Sequence, residues 1–186
     1  MNNIFHQKLY LFLAFLSIII ISYPIYSQSC DKKSLDSLNH LANSGKVEGS
    51  EKIDLWNQIA KCYLDIDLDS TAYYAEKAKY LSTEMGYKKG IAVSILQLAQ
   101  IEGTLENYNS AIPLFNKTIE LYEGLEKDAN YLRALILLGI IYEVRQDFDK
   151  ALNYYLVGLR EAELQEHKLF IAYFNNNISI IYRVKF

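Results

Sequence analysis

An apolar pattern that recurs four times at nearly constant intervals constrains this chain more than any other feature. In each copy, an apolar residue, a small residue and usually a tyrosine follow the first position by three, four and seven residues. Spacings of three and four place side chains on one face of a helix. The pattern therefore predicts four related helices. The four copies are Trp56-Ile59-Ala60-Tyr63, Ile95-Leu98-Ala99-Glu102, Leu135-Leu138-Gly139-Tyr142 and Asn175-Ile178-Ser179-Tyr182.

A second helix is expected after each of the first three. Its pattern recurs twice at a constant offset of 40 residues, as Thr71-Ala75-Ala78, Ala111-Phe115-Thr118 and Ala151-Tyr155-Gly158. Positions related by this offset are called equivalent below. Asp69-Ser70, Asn107 and Asp147 precede these helices and are residue types that cap helix N-termini. No stretch after residue 33 alternates over the length of a strand, so the fold class is predicted to be all-α.

Two segments resemble tetratricopeptide repeats: AVSILQLAQIEGTLENYNSAIPLFNKTIELY and LRALILLGIIYEVRQDFDKALNYYLVGL. The resemblance implies a right-handed solenoid of antiparallel helix pairs, which is a scaffold for protein–protein interaction. Residues 51–186 would form three and a half repeats. The repeat period exceeds the family's usual period of about 34 residues. In this respect the chain is similar to repeats in the extracytoplasmic regions of bacterial sensor proteins.

The N-terminal segment, positions 1–28, is predicted to direct export. Lys8 precedes a run without charge over residues 9–26, and YSQSC follows it. A basic start, an apolar run and a polar end are typical of a signal peptide. The run is also near the length that spans a bilayer, so an uncleaved anchor is an alternative, and lipidation of Cys30 is a third. Each alternative places the rest of the chain in the periplasm of a bacterium or facing it.

Residues 29–50 are predicted to form a capping helix, from Ser34 to Ser44, and a linker, because a solenoid needs a cap at its open end. Two cysteines, Cys30 and Cys62, leave two alternatives open. They form a disulfide in an oxidising compartment, or Cys62 is a small apolar helix residue and Cys30 an exposed thiol.

Composition and motifs argue against several functional classes. A formal net charge of -3 does not suit nucleic-acid binding. The two histidines outside positions 1–28, His40 and His167, have no second metal ligand at a suitable spacing. The sequence contains no nucleotide-binding motif and no motif of a catalytic nucleophile. We therefore expect no enzyme activity, no cofactor and no bound metal.

The resemblance implies that a protein or peptide partner binds along the concave wall built by the first helices. The apolar centre of this wall suits an amphipathic helix or an extended peptide. In the alternative interpretation, the same residues pack on neighbouring helices. The partner-binding residues predicted from the helical phase are Val93, Leu96, Gln100, Arg133, Ile136, Ile140, Tyr173 and Ile180.

The chain ends on IYRVKF in a first helix that no second helix follows. Because Ile178 and Ile181 would then expose apolar surface, we expect either a truncated chain or a homodimer through the C-terminal helix. The function predicted is that of an exported protein-interaction module without catalytic activity. The alternative is a truncated sensor portion of a membrane-bound signal-transduction protein.

Overall fold

The computed structural model describes residues 30–185. The predicted leader, residues 1–28, lies outside this range. Within it, no helix combines the length and the apolar composition needed to cross a bilayer. The described residues form eight helices, α1 Lys32–Asn43, α2 Gly49–Tyr63, α3 Leu68–Glu84, α4 Lys88–Thr104, α5 Tyr108–Leu121, α6 Ala129–Val144, α7 Phe148–Leu164 and α8 Lys168–Lys185.

Short turns join successive helices into antiparallel pairs, α2 with α3, α4 with α5 and α6 with α7. Each second helix also packs on the first helix of the next pair. The first helices contact one another in turn, so that α2, α4, α6 and α8 form one row and α3, α5 and α7 form another. The predicted all-α solenoid of antiparallel helix pairs is confirmed.

Small residues at the recurring positions allow neighbouring helices to approach closely. Ala60 and Ala99 are fully buried. A Cβ added to Gly139 would lie 2.3 Å from Cε1 of Tyr155, and one added to Gly158 would lie 2.1 Å from Cζ of Phe174. The aromatic rings therefore pack directly on glycine backbone, which explains the small residues by packing rather than by chemistry.

Four turns between helices share one backbone geometry. Gly86, Glu106, Gln146 and Glu166 all adopt left-handed conformations, with φ between 53° and 64°. In each case the N–H of the following residue donates to the carbonyl five residues earlier, at 2.8–2.9 Å. This is the Schellman arrangement that ends many helices. The helices α3, α4, α6 and α7 therefore end in the same way.

The helix caps differ in part from those predicted. Asp147 caps α7, because its Oδ1 accepts from the backbone N–H of Lys150 at 3.3 Å. In α3 the cap is Asp67, whose Oδ1 accepts from the N–H of Asp69 at 3.1 Å, so the predicted cap at Asp69-Ser70 lies too far along the chain. The side chain of Asn107 makes no capping hydrogen bond to α5.

At its N-terminal end the stack is closed by α1 and a disulfide. Cys30 and Cys62 are bonded, with Cα atoms 5.1 Å apart, within the range usual for disulfides. The bond joins the chain just before α1 to the last turn of α2. Beside it, Leu35 and Ala42 of α1 form a small core with residues of α2. Of the two alternatives for the cysteines, the structure contains the disulfide.

At the other end, α8 turns both polar and apolar residues outward. Ile181 is fully buried and Ile178 is half-buried, and both belong to the main hydrophobic core. The expectation of exposed apolar surface was therefore wrong for Ile181, whereas Ile178 keeps part of its surface accessible. The predicted homodimer stays a prediction. The exposed positions along α8 include the polar Lys168, Asn175 and Arg183 and the apolar Leu169, Tyr182 and Val184, which are 53%, 49% and 45% exposed.

Candidate binding surface on the first-helix row

The predicted binding residues differ widely in accessibility. Leu96 and Ile136 have no exposed surface, and Tyr173 and Ile180 are at least nine-tenths buried. These four side chains pack between helices, as the alternative interpretation expected, and they are not open to a partner on the folded chain. Helical phase placed these residues on one face of the first helices but could not show that neighbouring helices cover them.

Two of the predicted apolar residues keep accessible surface. Val93 on α4 and Ile140 on α6 are half-buried. They lie on neighbouring helices of the same row, which are in contact. The accessible apolar part of the predicted wall is therefore smaller than the sequence indicated.

Polar side chains are buried along the same row. Asn57 on α2 accepts a hydrogen bond from the hydroxyl of Ser94 on α4 at 3.0 Å, and its amide donates to the carbonyl of Gly90 at 3.4 Å. These bonds tie the first two repeats together. Gln97 and Gln100, one turn apart on α4, are 1% and 4% exposed. Neither side-chain polar atom of Gln97 has a hydrogen-bond partner among the described residues, nor does Oε1 of Gln100.

Sequence reasoning named Gln100 but missed Gln97. At the equivalent position, the third repeat has the buried Leu137. The sequence did indicate Gln97, because a glutamine stands there at a position where another repeat has leucine. Only the structure shows that this side chain lies in the interior.

Two cations belong to the same region. Arg133 on α6 is 8% exposed and donates from Nη1 to the side chain of Asn130 at 3.4 Å. Desolvation, together with the nearby positive charge of Arg133, lowers the pKa of Lys61 on α2. The two cations therefore act on each other across the row, with α4 between the helices that carry them.

A carboxyl group is buried inside the third pair. Glu143 is 7% exposed, and its Oε2 accepts from the hydroxyl of the fully buried Tyr155 at 2.9 Å. Desolvation raises the pKa of Glu143 to about 7, and the hydrogen bond from Tyr155 partly offsets that effect. The equivalent position in the second repeat is Gly103, whose pair carries Phe115. The third repeat thus has the carboxylate of Glu143 where the buried hydroxyl of Tyr155 needs a hydrogen-bond acceptor, and the second repeat, which has no such hydroxyl, has no carboxylate there.

The outer face of α7 differs from those of α3 and α5. Leu156 and Val157 are 47% and 43% exposed. The equivalent positions in the two earlier repeats are Asn116-Lys117 and Glu76-Lys77. Single exposed apolar residues are common on proteins, so this pair serves below as a control position.

Comparison with known proteins agrees with the architecture. Residues 91–160, which include most of α4 and of α7 and all of α5 and α6, match the family model of the tetratricopeptide repeat. No curated protein matches the chain. The helix pairs, their short turns and the small residues between them extend the same arrangement over the rest of the described chain. Residues 91–160 therefore carry tetratricopeptide repeats.

Proposed function

We propose that the chain is an exported scaffold that binds another protein and catalyses no reaction. Tetratricopeptide repeats are protein-interaction scaffolds, and the match over residues 91–160 is the observation that carries the proposal. Unlike an enzyme site, a scaffold surface needs accessible side chains but no group positioned for chemistry.

The disulfide supports export. Disulfides persist in oxidising compartments and are rare where thiols are kept reduced. The bond between Cys30 and Cys62 lies directly after the predicted leader. Folding to this structure therefore suits a periplasmic location.

Fractionation and N-terminal sequencing test export. We expect the full-length gene, expressed in a bacterium, to yield periplasmic protein that begins near Ser29. An intact Met1 in the membrane fraction would instead favour the anchor. An intact Met1 in the soluble cytoplasmic fraction would refute export.

The accessible part of the first-helix row is the proposed partner surface. Val93 and Ile140 provide half-buried apolar surface there, and Lys61, also half-buried, adds a positive charge. Burying apolar surface drives most protein association. A partner segment with an apolar side and an acidic residue would match both features.

Ile140→Glu tests this surface, with Leu156→Glu as the matched control. Each change places a carboxylate on an accessible aliphatic position of the third repeat, but Leu156 lies in the second-helix row. Extracts of cells that produce the protein would be cross-linked to the native chain and both variants. We expect a partner common to the native chain and Leu156→Glu to be lost in Ile140→Glu. Equal capture by both variants, with unchanged helicity, would remove this surface from the proposal.

The sensor alternative rests on the long repeat period, which is similar to that of sensor-attached repeats. Reading the gene beyond codon 186 tests it. An in-frame continuation into a membrane span and a kinase or DNA-binding domain would favour the sensor, and an unrelated gene would favour the separate scaffold.

A further inference from the structure

α1 occupies the place that a second helix takes in the later repeats. There, each second helix packs on the first helix that follows it, α3 on α4, α5 on α6 and α7 on α8, and α1 packs in the same way on α2. Asp31 caps α1 and is followed after four and eleven residues by the buried Leu35 and Ala42. α3 has the same arrangement, with a capping aspartate at Asp67 and buried residues four and eleven positions later. The side of α2 beneath α1 therefore receives an amphipathic helix.

The contacts that hold α1 in this place are few. It has 12 residues, a length at which an isolated helix is marginal in water. α3, α5 and α7 each lie between two first helices, whereas α1 packs chiefly on α2. The small core that Leu35 and Ala42 form with Leu55 and Ile59 of α2 is separate from the main hydrophobic core of the described residues. α1 can therefore leave α2 without disturbing the later repeats.

The disulfide supplies the attachment that these contacts lack. Cys30 fixes the start of α1 to the last turn of α2, and residues 44–48 connect the end of α1 to the start of α2. Because both ends are fixed, α1 stays on α2 and no other helix can take its place. Reduction frees one end. A dithiol reductant transfers two electrons and two protons to the bond between Cys30 and Cys62, which becomes two thiols while the reductant becomes a disulfide.

We propose that the side of α2 beneath α1 is a docking site for an amphipathic helix of a partner protein, which α1 closes as long as the disulfide is intact. α1 defines the chemistry of this partner, because it is a helix that fits the site. The site accepts aliphatic or small residues at the spacing of Leu35, Leu38 and Ala42, which lie on one helical face. It also accepts an amide at Asn39, whose side chain donates to a tyrosine hydroxyl of α2 at 3.4 Å and accepts from one of α3 at 2.8 Å.

Fluorescence anisotropy with a labelled synthetic peptide of residues 31–44, the α1 sequence without its cysteine, tests the proposal on the full exported chain. The double variant Cys30→Ser with Leu35→Lys opens the site, since it removes the disulfide and an apolar contact of the chain's own α1. We expect the peptide to bind this variant saturably and at least about tenfold more tightly than it binds the oxidised native chain. Cys30→Ser alone should give an intermediate affinity, because its α1 still competes with the peptide.

Leu41 provides a matched control on the same helix. It is 41% exposed, so Cys30→Ser with Leu41→Lys should leave α1 in place and bind the peptide as Cys30→Ser alone does. A peptide that carries Leu35→Lys should not bind.

Three results would overturn the proposal: equal binding of the two peptides, equal binding of the native peptide to the oxidised chain and the double variant, or no saturable binding to the double variant. A double variant that loses more helicity than α1 contributes would also contradict it, because α1 would then be part of the fold of the later repeats. The partner surface proposed at Ile140 lies on α6, and none of these results bears on it.

Discussion

At the scale of single residues, the sequence positions that break the repeat pattern are the informative ones. Gln97 replaces leucine, and Glu143 replaces glycine beside a tyrosine that replaces phenylalanine. Each substitution buries a polar group in a slot that another repeat keeps apolar. Such residues are stabilised only when their hydrogen bonds are made.

Glu143 should make stability depend on pH. Its pKa is raised from 4.5 to about 7 in the folded chain, so the folded state binds more protons than the unfolded state between these values. The contribution of Glu143 to stability is then greatest at low pH and falls as pH rises from about 4.5 to 7, by up to roughly 3 kcal/mol.

Glu143→Gln keeps a hydrogen-bond acceptor for Tyr155 without a charge. Urea unfolding at pH 5 and pH 7.5 should show the native chain losing stability relative to this variant. The other titrating groups are common to both proteins and cancel in the comparison. A constant difference across this range would mean that Glu143 stays ionised in the fold.

At the scale of helices and turns, close approach and turn geometry dominate. Gly139→Ala and Gly158→Ala should each destabilise the fold by about 1–3 kcal/mol, because the new methyl group would overlap an aromatic ring. At Gly103 a Cβ would lie 3.9 Å from Cε2 of Phe115, an ordinary contact. Gly103→Ala should therefore stabilise by up to about 1 kcal/mol through helix propensity. Thermal melts of the three variants check the difference in sign, and a common sign would disprove it.

The turns offer a second matched pair. Gln146 is held at φ 61°, a conformation that disfavours residues with a Cβ, and glycine adopts it freely. Gln146→Gly should stabilise by roughly 0.5–1 kcal/mol. Gln165 has φ -94°, where glycine gains nothing, so Gln165→Gly should destabilise. Chemical denaturation of both variants measures the two effects, and stabilisation by Gln165→Gly would contradict this account.

The sequence predicted the helices of this structure better than it predicted which of their side chains are accessible. Periodicity identified the helix pairs because spacings of three and four determine which face of a helix is apolar. It failed at Leu96, Ile136 and Ile181, because a face is buried or accessible according to how the next helices lie on it. That depends on packing between repeats, and no single repeat encodes it.

At the scale of the whole molecule, the two ends of the stack are protected differently. α1 is covalently tied to α2 at one end, and α8, the last described helix, presents polar and apolar residues at the other. In α6 the positions equivalent to Ala172, Asn175 and Ser179 are Leu132, Leu135 and Gly139, all buried. These three positions of α8 are small or polar and exposed, whereas Leu169, Tyr182 and Val184 leave apolar surface accessible on the same helix.

Reduction of the disulfide should therefore act locally. A disulfide that closes a loop with a sequence separation of 32 stabilises the fold by about 3–4 kcal/mol, because it restricts the unfolded chain. In a solenoid each repeat contacts only its neighbours. Hydrogen exchange should accelerate in α1 and α2 after reduction, or in Cys30→Ser, and stay unchanged in α6, α7 and α8. Uniform acceleration would show that the stack unfolds as one unit.

The same bond determines how tension would pass through the molecule. A pull on residue 30 reaches Cys62 through the two sulfur atoms, so residues 31–61 stay slack whatever the force. The two cysteines are 32 residues apart in the sequence, so about 110 Å of chain cannot be extended while the disulfide is intact. The force therefore enters the helical stack at Cys62, and α1 and nearly all of α2 bear no tension.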